Sequence, residues 1–149
     1  MTLLRAIRDR VLALVVRRVR SERDAWGLRG EDAAAGLLKS LGYRVLGRSL
    51  RLHAGEIDLL AEAPDGRTIV VVEVKTRVRR QGQSARSAGT PPEASITERK
   101  RAKLRTLARS IARSNGWTDR PLRIDVVAVE WDAASAVPVM RHSVGAVRL

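Results

Sequence analysis

Gly55-Glu56-Ile57-Asp58 and, one short turn later, Val72-Glu73-Val74-Lys75 decide how this chain is read. Three acids and a lysine stand on two runs whose other residues are those of buried strands. Successive side chains of a strand alternate between faces. Ile69, Val71, Glu73 and Lys75 therefore share one face, and Val70, Val72 and Val74 the other. Upstream, Glu56, Asp58 and Leu60 alternate with Ile57, Leu59 and Ala61. A carboxylate isolated on a buried face is expensive unless something pairs it.

Pro64-Asp65-Gly66-Arg67 joins the two runs, and Asp-Gly is a hairpin signal. A two-residue loop at Asp65-Gly66, or a four-residue loop from Pro64 to Arg67, sets Asp58 opposite Glu73 and Glu56 opposite Lys75. Opposed residues share a face, with Cβ atoms about 4.5–5.5 Å apart. A three-residue loop with a glycine bulge would instead pair Asp58 with Val72 and part the acids. The expectation is the even register, because only that register groups the charges.

Two carboxylates ~5 Å apart repel by roughly 3 kcal/mol at an effective dielectric of about 20. Lys75 offsets part of this. A hard divalent cation offsets more, so Mg²⁺ or Mn²⁺ is the expected cofactor, and metal-assisted phosphodiester cleavage the chemistry to expect. The plainer reading is a self-contained network of Glu–Lys and Asp–Lys ion pairs on a sheet.

The charge balance names the partner. The 149 residues carry 29 Lys and Arg against 16 Asp and Glu, a net +13. Such an excess fits a polyanion, nucleic acid before membrane. The basic residues cluster: Arg77, Arg79, Arg80 and Arg86 follow the acidic strand, and Arg99, Lys100, Arg101 and Lys103 open a later helix. These eight are the expected nucleic-acid contacts. Aromatics make up 3% of the chain and Phe is absent. That scarcity argues against a base-stacking platform and for duplex or branched nucleic acid gripped by its phosphates, DNA before RNA. Without cysteine there is no disulfide framework or thiolate zinc site, and His53 and His142 alone make no zinc centre. No run is long or apolar enough to span a bilayer, and no cleavage signal follows an uninterrupted apolar stretch. Stable membrane insertion is not expected, and the location to expect is cytoplasmic.

Residues 1–25 form a basic amphipathic extension, in which Leu3, Leu4, Ile7, Val11, Leu14 and Val15 mix with five arginines between Arg5 and Arg18. It reads as an accessory helix packed on the domain or touching nucleic acid, with a membrane-surface segment as the alternative. Residues 26–149 then make one domain with a real core. A helix is predicted from about Gly30 to Leu41, ending at Gly42. Its stripe of Glu31, Ala34, Ala35 and Leu38 either aims Glu31 at the metal site or leaves it to serve the helix dipole. Tyr43 to Leu50 reads as a strand. Gln81 to Pro92, rich in Gly, Ser and Pro, reads as a loop near enough to act as a substrate flap. Thr97 caps a second helix that stops at Asn115-Gly116, with Leu104, Leu107, Ala108 and Ile111 as its inner stripe. Lys100 lies one turn before Leu104 on that stripe, within reach of the acids or of a phosphate. Arg123 to Glu130 alternates as a strand on which Arg123 and Asp125 share a face and pair. Val137 to Val147, with Pro138, reads as an edge strand. This order predicts an α/β domain with a central mixed sheet of four to five strands flanked by helices.

Gly30-Glu31-Asp32-Ala33-Ala34, Leu41-Gly42-Tyr43, Gly55-Glu56-Ile57-Asp58-Leu59, Val72-Glu73-Val74-Lys75-Thr76-Arg77 and Arg123-Ile124-Asp125-Val126-Val127 together resemble the YraN-like bacterial family, placed in the PD-(D/E)XK nuclease superfamily. The resemblance runs from about Trp26 to the C-terminus. It implies a restriction-endonuclease-like fold, with Asp58 and Glu73 as metal-binding acids, the Val74 backbone carbonyl as a further ligand, and Lys75 as the motif lysine. Glu31 resembles the helix glutamate of archaeal Holliday-junction resolvases, which adds Glu31 to the catalytic and metal set. The stretch from Thr97 to Lys100 resembles the family's threonine-to-lysine segment. Two departures are visible: the loop from Gln81 to Pro92 is longer than the pattern, and Ser49 stands where asparagine is usual.

Three functions follow as expectations. The first is a metal-dependent endonuclease, acting as a homodimer if it cuts two strands symmetrically. The second is a nucleic-acid-binding module without catalysis. The third is a membrane-associated or partner-binding protein working through residues 1–20.

Overall fold

Strand β3, Ile69–Arg79, opens with four consecutive buried aliphatic residues, Ile69 to Val72, and lies at the centre of a five-stranded sheet. The computed structural model describes residues 21–79, 92–132 and 134–149. Helix α1 is Glu22–Ser40, followed by β1 (Arg44–Leu52), β2 (Gly55–Glu62) and β3. A short 3₁₀ turn at Pro92–Ser95 leads into α2 (Glu98–Ser114), then β4 (Leu122–Asp132) and β5 (Val139–Val147). The sheet order is β1-β2-β3-β4-β5. Only β3 and β4 run parallel, joined across α2. This is the expected α/β class, a mixed sheet with a helix on either face.

Alternation along β3 and β4 builds two cores. Ile69, Val71, Ile124 and Val126 face α2, beneath Leu104, Leu107 and Ile111. Val70, Val72, Val127 and Val129 face α1, beneath Ala34, Ala35 and Leu38. Both helical stripes are those predicted. The Thr97 hydroxyl accepts the Lys100 N–H at 3.3 Å and caps α2, and Asn115 ends it. The edge strand β5 begins just after Pro138.

The β2–β3 register is the even one. Leu59 pairs with Val72, Leu60 with Val71 and Ala61 with Val70. Ala63 N–H donates to the Thr68 carbonyl at 2.9 Å, which leaves the four-residue loop Pro64–Arg67. Asp65 accepts from the Arg67 and Thr68 amides and from the Thr68 hydroxyl, and these bonds hold its carboxyl down at about 2.

Alternation along β2 is where the expectation fails. Ile57 and Leu60 belong to the core under α2, whereas Leu59 belongs to the core under α1. The phase slips at Asp58. Across the β1 ladder from this point sits Ser49, between the pairs Arg48–Leu59 and Leu50–Ile57, with φ 47°. A non-glycine residue in that left-handed region is uncommon and departs from strand geometry. Glu56 accordingly meets Arg51 of β1 at 3.9 Å, in place of the expected Lys75.

Helix α1 begins eight residues before its predicted start, capped by the Ser21 hydroxyl on Asp24 N–H. Gly27 and Gly30 hide its first turns from a propensity reading. Gly30 is buried where α1 crosses β3, and a Cβ there would collide with Thr76 Oγ1 and crowd Thr76 Cβ at 3.0 Å. Gly36 has nothing within 4 Å of an added Cβ. Gly30→Val is therefore expected to destabilise by about 1–3 kcal/mol, whereas Gly36→Ala should stabilise by up to about 1 kcal/mol. Urea midpoints of the two variants against the parent check both signs.

Asp125, fully buried on β4, anchors a polar cluster beside the α1 core. It accepts two bonds from Arg123 at 2.8 and 2.9 Å, as the shared face predicts. His142 Nε2 lies 2.8 Å from Asp125 Oδ2, and the Gly145 amide donates to Oδ1 at 2.9 Å. Arg123 also donates to the Tyr43 hydroxyl at 2.7 Å. The β4–β5 register shifts between Ile124 and Val126, and Gly145, at φ 62°, turns its N–H onto the carboxylate there.

Residues 1–20, the Gln81–Pro92 loop apart from Pro92, and with it Arg80 and Arg86, lie outside the described residues.

Candidate active site

The site forms where β2 and β3 part. Their ladder begins beside the loop and runs no further than Leu59–Val72. In an antiparallel ladder, bonded pairs recur every second residue and exchange both N–H and C=O. Counting from the bonded Ala63–Thr68 pair, Val74 N–H would meet the Ile57 carbonyl. It donates instead to Asp58 Oδ2 at 2.8 Å. A side chain has replaced a ladder bond, while residues 55–57 of β2 stay paired with β1. N–H and C=O of one strand residue point the same way, so the Val74 carbonyl also opens toward this fork.

Glu73 projects toward α2 and is 5% exposed. Lys100 Nζ lies 2.9 Å from its Oε2 and Lys75 Nζ 3.8 Å from its Oε1. Lys100 thus reaches the acids, as its place on the helical stripe predicts. Glu31, 6% exposed, comes from the opposite face on α1 and accepts the Ser49 hydroxyl at 2.8 Å. Ser49 stands on β1 across from Asp58, with its backbone in the left-handed region.

Charge in the fork is unbalanced. Burial first, then the Glu73 charge and, more weakly, that of Glu31, lift the Asp58 carboxyl from 3.8 to about 7. The Val74 N–H and the Lys100 ammonium work against this rise and do not cancel it. Asp58, Glu73, Glu31 and the Val74 carbonyl offer oxygen donors only, which suits a hard cation. Among the described residues no three acidic or histidine side chains already close on one point. Ligation by all three acids together therefore needs side-chain movement within the fork.

Asp58, Glu73, Glu31 and Lys75 line one cleft of about 640 Å³, whose other wall is the first turns of α1, including Arg23 and Trp26. Sequence reasoning did not reach that wall. The signal was there: counting back by four from Ala34 gives Gly30 and then Trp26, one stripe of a longer helix.

The basic residues divide. Arg77, Arg99 and Lys103 are exposed. Lys103 lies across Gly55 at the entrance to β2, where a Cβ would displace its stem. Arg79 is held by Glu130 at 3.0 Å. Arg101 donates to the Ile96 and Ala146 carbonyls, both at 3.2 Å, and ties α2 to β5.

Residues 30–129 match the profile of Uncharacterised protein family UPF0102. A UPF0102 protein of Moorella thermoacetica is 45% identical over 108 residues, covering 72% of this chain and 82% of its own length. One from Leifsonia xyli is 39% identical over 127 residues, 85% of this chain and 99% of its own. Among solved structures, Pyrococcus furiosus SfsA in complex with Ca²⁺ aligns over 78% of this chain and 61% of that chain, at 19% identity and a TM-score of 0.35. That likeness is too slight to bear on function. No helix among the described residues is long and apolar enough to cross a membrane.

Proposed function

The chain belongs to the UPF0102 family, and from that premise we propose that it is a metal-dependent endonuclease acting on DNA in the cytoplasm. The observation that carries the reading is the fork: Asp58, Glu73 and Glu31 line one cleft with Lys75, in a chain of net charge +13. The motif resemblance to PD-(D/E)XK nucleases supports it. Asp58, Glu73 and the Val74 carbonyl, helped by Glu31, would hold Mg²⁺ or Mn²⁺. When bound, the ion supplies a water of lowered pKa and balances charge growing on the phosphate. Lys75 orients the attacking water and stabilises that charge. Arg77, Arg99 and Lys103 hold the neighbouring phosphates, as point charges that read no sequence.

Purified protein incubated with branched and linear DNA should cleave only with Mg²⁺ or Mn²⁺, and Glu73→Gln should be inactive. Absence of cleavage on every substrate, or equal cleavage by the variant, overturns the proposal.

A second reading, a binding module without catalysis, is favoured by one contact. The 2.9 Å Lys100–Glu73 pair already satisfies an acid that catalysis needs open. About six phosphate contacts would then give a salt slope of roughly −5. Binding with that slope, indifferent to chelator and to Glu73→Gln, with no turnover, selects this reading.

A further inference from the structure

Trp26 lies ahead of the segment that matches the family profile, yet it lines the same cleft as the acids. Its ring is braced by two neighbours. The ring packs against Trp131 with centroids 5.7 Å apart, and the Arg29 guanidinium sits 4.4 Å from the Trp26 ring centre and 4.6 Å from that of Trp131. Trp131 is nearly buried and fixed in the α1 core. Arg23, one turn before Trp26, stands exposed on the same wall. A cleft of about 640 Å³ falls in the range of small-molecule sites, roughly 300–1,000 Å³, and is large enough to take one nucleotide out of the stack opposite the acids.

We propose that Trp26 is a specificity-determining residue that stacks an unpaired base inside the cleft, with Arg23 on an adjoining phosphate. The substrate is thereby DNA with single-stranded or frayed character at the cutting point. The composition argued the other way, since aromatics are few, but stacking one base takes one well-placed ring. This inference rests on the cleft being the nuclease site, and its test is independent of cleavage.

Full-length protein is titrated, with chelator present, against oligothymidine and against a blunt duplex of equal phosphate count. Base–aromatic stacking energies correspond to about a 5- to 150-fold loss of affinity. Trp26→Leu, which keeps an apolar side chain against Trp131, should lose that much for oligothymidine and almost nothing for duplex. Trp26→Phe, which keeps a stacking face, should recover most of the loss. Thermal melting checks that both variants are folded, and where the leucine variant is not, the phenylalanine variant is compared with Trp26→Met. Oligothymidine affinity unchanged in the leucine or methionine variant overturns the proposal, as does an equal loss on both polymers. Failure of the wild-type protein to cleave with Mg²⁺ or Mn²⁺ overturns the nuclease reading and leaves the stacking result standing.

Discussion

Asp58→Asn should yield a protein that no longer cleaves DNA but is more stable than its parent in the absence of metal. The two effects have one cause. Asp58 gives up a ladder position to place a carboxylate among other acids, and its carboxyl rises from 3.8 to about 7. A folded-state pKa above the unfolded value contributes stability that is complete below about 3.8 and lost as pH rises through about 7. At pH 8 the ionised Asp58 therefore strains the fold, and removing its charge should recover on the order of 2–4 kcal/mol. The substituted amide keeps an oxygen to accept the Val74 N–H, so the fork need not reorganise. Urea denaturation with chelator at about pH 8 and again near pH 4 provides the check, because the gain should vanish at the lower pH. Adding Mg²⁺ should stabilise the parent, by mass action on the folded state, and leave the variant unmoved. A variant less stable than the parent at both pH values would refute the idea that the fork is electrostatically strained.

Asp125→Ala should have the largest effect on stability, a loss of about 3–5 kcal/mol, because it strips a buried charge from its partners. Asp125 is 0% exposed. Its removal leaves Arg123, His142 and the Gly145 amide without their common acceptor. Burial alone would raise the Asp125 carboxyl. The bonds from His142, Arg123 and Gly145, with the Arg123 charge, outweigh burial and hold it below 3.8. The stabilisation is then present above about pH 3.8 and lost as pH falls through the depressed folded value. The parent should lose stability steeply below about pH 4, and the alanine variant should show a flatter profile from a lower start. Thermal melts across that range measure both. At temperatures where the variant is folded, cleavage should persist, which separates this structural acid from the acids of the cleft. Cleavage abolished in a demonstrably folded Asp125→Ala would place Asp125 in the chemistry and contradict that separation.

Much of the architecture is local and was readable as such. Period-two alternation assigned Ile69, Val71 and Glu73 to one face of β3 and Val70, Val72 and Val74 to the other. Helical spacing aimed Lys100 along the stripe of Leu104, and Thr97 marked the start of α2. Pro64-Asp65-Gly66-Arg67 allowed an even or a bulged register, and the grouping of the charges chose the even one that is observed. The start of α1 was hidden from a propensity reading by Gly27 and Gly30, the second of which packs closely on Thr76, and only the stripe counted back from Ala34 to Trp26 marked it. The polar cluster was half readable. Arg123 and Asp125 are neighbours on one strand, but Tyr43 lies 80 residues from Arg123, His142 joins from its place on β5 opposite Val127, and Gly145 from the bulge.

By itself the sequence determined the element order, the faces of β3 and β4 and the acids worth suspecting, since each depends on spacing along the chain. The tertiary structure decided what those acids become. Ser49 takes a left-handed conformation across from Asp58, the β2–β3 ladder stops there, and Asp58 takes the Val74 N–H while Glu31 and Lys100 arrive from opposite faces. Those contacts join residues 16 to 27 positions apart, and no periodicity within one element encodes the point at which two strands separate.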